Sequence, residues 1–146
     1  IYAAALSQPR WEAAFQKPLT SVITSPFGNR RLFNGKLASY HSGIDFRAPL
    51  GTPVKAANRG TIRLAKNLFY AGNTVLVEHG AGVFTIYAHL SQIGVTIGQS
   101  VEKGQTIGRS GESGRVSGPH LHWGVKLNGQ NVDPLQFMAV ISKLIP

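Results

Sequence analysis

Residues 120–127 read His120-Leu-His-Trp-Gly-Val-Lys-Leu127, with an apolar side chain at every second position. A strand of this sequence would bury Leu121 and Trp123 on one face and present His120 and His122 side by side on the other. Similar short runs, rich in β-branched and aromatic residues, recur between glycine turns at 60–64, 74–78 and 83–89. The pattern predicts an all-β domain with a mainly antiparallel sheet.

Residues 83–90 are a second alternating run. Strict alternation predicts a core face and an opposite face. We expect the core face to carry Phe84, Ile86, Ala88 and Leu90, and the opposite face to carry Thr85, Tyr87 and His89. The glycine-flanked segment 80–82 predicts a hairpin before this run, and Asn128-Gly129 predicts a turn after residues 120–127.

The two ends of the chain predict short helices. Residues 1–20 form a lead-in that is helix-compatible but interrupted by prolines, and we expect a helical remnant or linker packed on the main domain. Residues 21–146 form that domain, ending in a helix with Asp133 as N-cap, Pro134 at its first position and Gln136 completing a capping box. Because the first residue is Ile1, we expect a piece of a longer chain.

Composition excludes several classes of protein. With 146 residues and 42% hydrophobic content, the chain can bury a core, and its lack of cysteine rules out disulfides, Cys-ligated zinc and thiol catalysis. No apolar run reaches the roughly 20 residues that span a bilayer, so we expect any membrane anchoring to lie in regions outside this sequence. We also expect a monomer.

The charge balance predicts an anionic partner. Fifteen basic residues face six acidic ones, for a formal net charge of +9. The basic residues are scattered, with Arg30-Arg31 the only adjacent pair, whereas a nucleic-acid-binding protein would show a cluster or a recognition motif. We therefore expect no nucleic acid, and the charge leaves acidic lipid and an anionic cell-wall polymer as candidate partners.

Histidines and one aspartate form a candidate metal site. His41 and Asp45 are four residues apart, a spacing that shares a face on a strand or a helix. Together with one histidine of the pair His120 and His122 they make a set of two imidazoles and a carboxylate. Three protein ligands leave one tetrahedral position for water, which is typical of catalytic zinc.

A general base must accompany such a site. No His-Glu-x-x-His motif supplies a glutamate. The other histidine of the pair His120 and His122, with His89, is the natural substitute, because imidazole titrates near neutrality. From the residues alone, either His120 or His122 could be the ligand.

The sequence resembles the lysostaphin/LytM-like zinc metallopeptidases, which cut cross-links in bacterial peptidoglycan. The resemblance extends from residue 25 to about residue 134. It is carried by fragments in a fixed order and spacing: Ser25-Pro-Phe-Gly-Asn-Arg30, His41-Ser-Gly-Ile-Asp-Phe46, Ala48-Pro-Leu-Gly-Thr-Pro-Val54, Tyr87-Ala-His-Leu90, Val101-Glu-Lys-Gly-Gln105 and Ser117-Gly-Pro-His-Leu-His122.

The resemblance implies a role for each matched residue. It assigns one zinc ion to His41, Asp45 and His122, the general base to His120, and transition-state stabilisation to His89. It also implies a large antiparallel sheet of the duplicated hybrid motif type, with a substrate groove over the zinc. His79, at a hairpin turn, is given a structural role.

The function implied is a zinc endopeptidase acting on peptidoglycan in the bacterial cell envelope, either periplasmic or extracellular. The D-Ala–diaminopimelate bond is the expected cleavage site, and a glycine bridge is the alternative. A second hypothesis is a non-catalytic peptidoglycan-binding module or an activator of other wall hydrolases. The complete set of catalytic residues argues against this second hypothesis.

Overall fold

Short strands joined by turns, followed by one C-terminal helix, make up the fold. A computed structural model describes residues 9, 11, 13–28, 30–33, 36–114, 116 and 118–144, with the backbone alone for 30–33 and 36–40. Within these ranges the elements are β1 (Ile23–Ser25), β2 (Arg30–Phe33), β3 (Lys36–Tyr40), β4 (Ile44–Arg47), β5 (Pro53–Lys55), β6 (Gly60–Leu68), β7 (Gly72–Glu78), β8 (Val83–Ile93), β9 (Ser100–Val101), β10 (Thr106–Ser110), β11 (His120–Leu127), β12 (Gln130–Val132) and α1 (Pro134–Leu144). The predicted all-β class is confirmed.

The main sheet is antiparallel and has the order β1-β4-β11-β8-β7-β6-β9. Strand β10 pairs with β8 and β5, and β12 extends β11 as a hairpin, while β2 and β3 form a separate two-stranded sheet. The hairpin turn uses Asn128 and Gly129, both at positive φ, as a type I′ turn requires. Strand β11 therefore lies inside the sheet, between β4 and β8.

Strand β11 alternates as predicted. Leu121, Trp123 and Val125 are fully buried in the main core, whereas His120 and His122 on the opposite face are partly exposed. In β4 the same alternation buries Ile44 and Phe46 in the core. The core face of both strands is therefore apolar, and the opposite face carries the chemistry.

The face prediction for β8 holds for Leu90, which lies in the main core, but is wrong for Thr85 and Tyr87. Thr85 and Tyr87 are fully buried, and the Tyr87 ring lies in the main core, while Phe84 packs with Leu76 in a smaller cluster. Buried hydroxyls are tolerated because they are hydrogen-bonded: the Tyr87 hydroxyl accepts the Ala57 N–H at 2.9 Å and lies 2.8 Å from the Thr85 hydroxyl.

His89 leaves the core face because β8 contains a bulge. Asn73 pairs with Leu90 and Val75 with Tyr87, so two residues of β8 oppose Thr74 alone. His89 has a φ of +62°, which breaks the alternation. Without the bulge, His89 would share the buried face of Tyr87.

The ends of the described chain pack against the sheet. Phe15 and Leu19 belong to the main core, where Phe15 contacts Phe137 of α1 at a ring-centroid distance of 5.0 Å. The N-cap prediction is confirmed, since the Asp133 carboxylate accepts the Leu135 N–H at 3.0 Å. Residues 13–20 contain no helix, and 1–8, 10 and 12 lie outside the described residues. No helix within the described ranges is long and apolar enough to cross a bilayer.

Candidate metal centre

His41, Asp45 and His122 meet on the polar face of the sheet. His41 directly follows β3, Asp45 lies in β4, and His122 pairs directly with Asp45 across β4 and β11. His41 Nε2 lies 3.1 Å from Asp45 Oδ1 and 3.2 Å from His122 Nδ1, and the last two atoms are 3.0 Å apart. The three atoms form a triangle of possible metal ligands.

The triangle fits a small divalent cation. Zinc–nitrogen and zinc–oxygen bonds of about 2.0–2.1 Å in a tetrahedron place neighbouring donors about 3.3 Å apart. Histidine and carboxylate are ligands that zinc accepts in catalytic sites. The donor set and its spacing therefore suit zinc.

A backbone carbonyl presents the correct nitrogen of His41. The Nδ1–H of His41 donates to the Pro26 carbonyl at 2.9 Å, and the Ser25 hydroxyl lies 3.2 Å from the same nitrogen. Nε2 then carries the lone pair that faces Asp45. A lone pair opposed to a carboxylate is unfavourable unless a cation or a proton lies between them. The geometry is thus arranged to receive positive charge.

The charge state of Asp45 matches this arrangement. Burial raises the pKa of its carboxyl, but His122 and His41, whenever their rings are protonated, donate hydrogen bonds and place positive charge beside it, and this outweighs burial. The net effect holds the pKa of Asp45 well below its usual range. Asp45 therefore stays ionised throughout the physiological range and is ready to act as an anionic ligand.

His120 and His89 lie next to the triangle. His120 Nε2 is 3.8 Å from Asp45 Oδ1, and the His89 and His120 ring centroids are 5.0 Å apart. The Nδ1–H of His120 donates to the Gly118 carbonyl at 3.0 Å, and the Nδ1–H of His89 donates to the Ser113 carbonyl at 2.9 Å. Each ring is left with Nε2 free to exchange a proton. Burial lowers the pKa of His89 and so favours its neutral form. The hydrogen bond to the Ser113 carbonyl acts in the opposite direction but is the smaller effect.

His79 lies apart from this cluster, inside the core. It is fully buried, donates from Nδ1 to the Arg59 carbonyl at 2.8 Å and accepts the Thr85 hydroxyl at 2.8 Å through Nε2. Burial lowers its pKa to about 4, although the Arg59 carbonyl acts in the opposite direction. These contacts agree with the structural role expected for His79.

The structure thus gathers five predicted site residues, His41, Asp45, His89, His120 and His122, on one face. Sequence reasoning missed the supports around them. Gly43 is one: a Cβ there would lie 2.4 Å from the Trp123 carbonyl oxygen and 3.0 Å from the His122 ring. Its place between His41 and Asp45 was a signal for close backbone approach. The other supports are the backbone carbonyls of Pro26, Gly118 and Ser113, which accept hydrogen bonds from the histidine rings. Every residue has a backbone carbonyl, so a sequence cannot show which ones take this role.

The chain matches the profile of peptidase family M23 over residues 39–134. It is 41% identical to the peptidoglycan DD-endopeptidase ShyA of Vibrio cholerae over 139 residues, covering 92% of this chain and 32% of that protein. The chain therefore spans about a third of the length of this curated relative. The match covers more than half of the chain and includes all five site residues.

Solved structures show the same relationship. A zinc-containing peptidase from Vibrio cholerae superimposes with a TM-score of 0.79 at 36% identity, covering 84% of this chain and 39% of that one. The catalytic domain of the antimicrobial peptidase lysostaphin from Staphylococcus simulans gives a TM-score of 0.72 at 34% identity, covering 82% of this chain and 92% of that domain. The chain belongs to peptidase family M23, which confirms the resemblance found in the sequence.

Proposed function

We propose that this chain is the catalytic domain of a zinc-dependent endopeptidase that hydrolyses peptide cross-links of bacterial peptidoglycan. The observation that carries the proposal is the triangle of His41, Asp45 and His122 donor atoms with two further histidines beside it. His41 Nε2, Asp45 Oδ1 and His122 Nδ1 would hold the zinc ion. When bound, zinc supplies Lewis acidity toward a carbonyl oxygen and toward water.

The remaining two histidines handle protons. His120 accepts the proton of the attacking water at Nε2, because its Nδ1–H is already held by the Gly118 carbonyl. His89, held in the same way by Ser113, takes up a proton from solvent at Nε2 and then hydrogen-bonds the developing oxyanion or passes that proton to the leaving amine. Because water is the nucleophile, no acyl-enzyme forms.

An anionic substrate agrees with the charge of the chain and of the site. Arg47 is exposed, pairs directly with His120 across β4 and β11, and lies two residues from Asp45 on the same strand. Stem peptides of peptidoglycan carry free carboxylates that such a cation can attract. We place the activity in the bacterial cell envelope, periplasmic or extracellular, where this polymer occurs.

The bond we propose is the D-Ala–diaminopimelate cross-link, in line with the name of the Vibrio cholerae relative, a DD-endopeptidase. The test is mass spectrometry of the fragments released by the zinc-loaded domain from defined cross-linked muropeptides. We expect monomers cut at the D,D bond. Cleavage of a glycine bridge alone would show that the D-Ala–diaminopimelate bond is not the substrate bond. Binding to sacculi with no release of new amino termini would overturn the enzymatic function.

The proton-transfer role of His120 has its own test. We expect His120→Ala to retain zinc but to lose about 100- to 10,000-fold in kcat, the range that a general base contributes. Zinc content and kcat are measured on the same preparations. Full cross-link cleavage by this variant would contradict the assignment.

A further inference from the structure

His89 is held in a backbone conformation that needs support. Its φ of +62° lies in the left-handed region, which is unfavourable for a residue with a side chain. Its N–H donates to the Ala71 carbonyl at 2.8 Å and its Nδ1–H donates to the Ser113 carbonyl at 2.9 Å. Backbone and ring are therefore both fixed by the segments flanking the bulge.

Ser113 is itself fixed by its hydroxyl. The hydroxyl donates to the Leu90 carbonyl at 2.6 Å and accepts the Asn73 N–H at 2.9 Å. Asn73 and Leu90 are paired residues of β7 and β8, next to the bulge that contains His89. One hydroxyl thus joins the loop before β11 to both strands.

The loop approaches β7 closely enough to require glycine. A Cβ on Gly72 would lie 2.4 Å from the Ser113 backbone carbon and from its hydroxyl oxygen. A Cβ on Gly114 would lie 2.5 Å from the Gly72 nitrogen. This direct backbone packing brings the Ser113 hydroxyl within hydrogen-bonding distance of both strands.

We propose that Ser113 is a positioning residue for His89. Its hydroxyl anchors the carbonyl that fixes the His89 ring as the Nδ1–H tautomer and leaves Nε2 as the nitrogen available to substrate. This inference rests on the proposed function, in which Nε2 of His89 acts on the substrate. Ser113 acts through His89 and need not touch the substrate.

The test compares Ser113→Ala, which loses the hydroxyl, with Ser113→Thr, which keeps it. We expect Ser113→Ala to lower kcat roughly 10- to 100-fold, the scale of a small misplacement of a catalytic group, with KM within about twofold and zinc content unchanged. We expect Ser113→Thr to restore most of kcat. Ser142→Ala is the matched control, because the Ser142 hydroxyl also bonds a backbone carbonyl, that of Met138 at 2.8 Å, but lies in α1.

A second measurement is independent of activity. Long-range proton–nitrogen NMR spectra of the zinc-loaded domain at pH 8 report which His89 ring nitrogen carries the proton. We expect the Nδ1–H tautomer in the wild type and Ser113→Thr, and a tautomer mixture in Ser113→Ala. Wild-type kcat in Ser113→Ala, or an unchanged His89 spectrum there, would overturn the proposal. A wild-type domain that cleaves no muropeptide would contradict the proposed function, while the spectra would still decide the positioning of His89.

Discussion

At the metal centre, the ring nitrogen that each histidine presents is set by a hydrogen bond from its other ring nitrogen. The Nδ1–H groups of His41, His120 and His89 each donate to a backbone carbonyl, so the tautomer of each ring is set by the chain rather than by solvent. His122 differs, because its Nδ1 faces Asp45 and His41. His122 therefore offers Nδ1 to the metal site, whereas His120 uses Nδ1 to bond the Gly118 carbonyl. This contrast distinguishes the two histidines, which their positions in the sequence do not.

Asp45 provides a direct test of the metal site. We expect Asp45→Ala to weaken zinc binding by more than about 100-fold, since even partners that only support ligands contribute 10- to 100-fold. The measurement is competition for zinc with a chelator of known affinity. Asp133→Ala is the control, because Asp133 caps α1 and its loss costs about 1 kcal/mol of stability without touching the site. Equal zinc affinity in the two variants would refute the site.

Gly43 tests the packing behind the ligands. We expect Gly43→Ala to destabilise the fold by about 1–3 kcal/mol and to weaken zinc binding, because its Cβ would press on the Trp123 carbonyl and the His122 ring. Denaturant unfolding and zinc titration measure the two effects. Gly124→Ala is the control on the same sheet, since its Cβ would meet nothing closer than 3.7 Å. Similar losses in both variants would show that the close approach at Gly43 is unimportant.

At the scale of the element, β11 could be predicted from sequence and β8 could not. β11 follows a strict period of two, with apolar residues on one face and histidines on the other. In β8, hydrogen-bonded hydroxyls of Thr85 and Tyr87 are buried and a bulge at His89 changes the period. The prediction that His89 avoids the core holds, but the bulge is the reason. Neither buried hydroxyl partners nor a bulge has a signature in hydrophobic alternation.

The buried ring of His79 predicts acid sensitivity of the β7–β8 hairpin. Its pKa falls from 6.5 to about 4 on folding, so the unfolded state takes up the proton first. The stabilisation is complete above pH 6.5 and is lost as the pH falls toward 4, by roughly 3 kcal/mol. We expect His79→Gln to lack this component, so urea unfolding of the two proteins should converge in stability on acidification. Parallel pH profiles would contradict the prediction.

At the scale of the whole molecule, the motifs found in the sequence lie far apart but meet in the sheet. His41 and His122 are 81 residues apart, and the β4–β11 pairing brings them together. That pairing could not be derived from periodicity, which gives faces but not neighbours. The resemblance to a family supplied the missing neighbours, and the family match confirms that resemblance. The boundary at residue 20 stays a prediction.

The net charge of +9 belongs to the whole molecule and predicts salt-sensitive binding. We expect binding to purified sacculi to weaken as salt rises from low concentration to 0.2 M, because the screening length falls below about 10 Å above 0.1 M. Sedimentation of the domain with sacculi measures the bound fraction. Sacculi whose carboxyl groups have been amidated are the control, and equal binding to both at low salt would contradict an electrostatic contribution.

The bulge in β8 also has an evolutionary consequence. With the same residues in a regular ladder, His89 would be enclosed on the face of Tyr87, whereas the bulged pairing brings it to the reaction centre. Deleting Ala88 would regularise the ladder and place the imidazole directly after Tyr87, opposite Thr74 and still on the polar face, but shifted by about 3.4 Å along the strand and without the left-handed backbone that now presents it. Loss of a single codon would thus move this imidazole away from its present position while His41, Asp45, His120 and His122 were all retained.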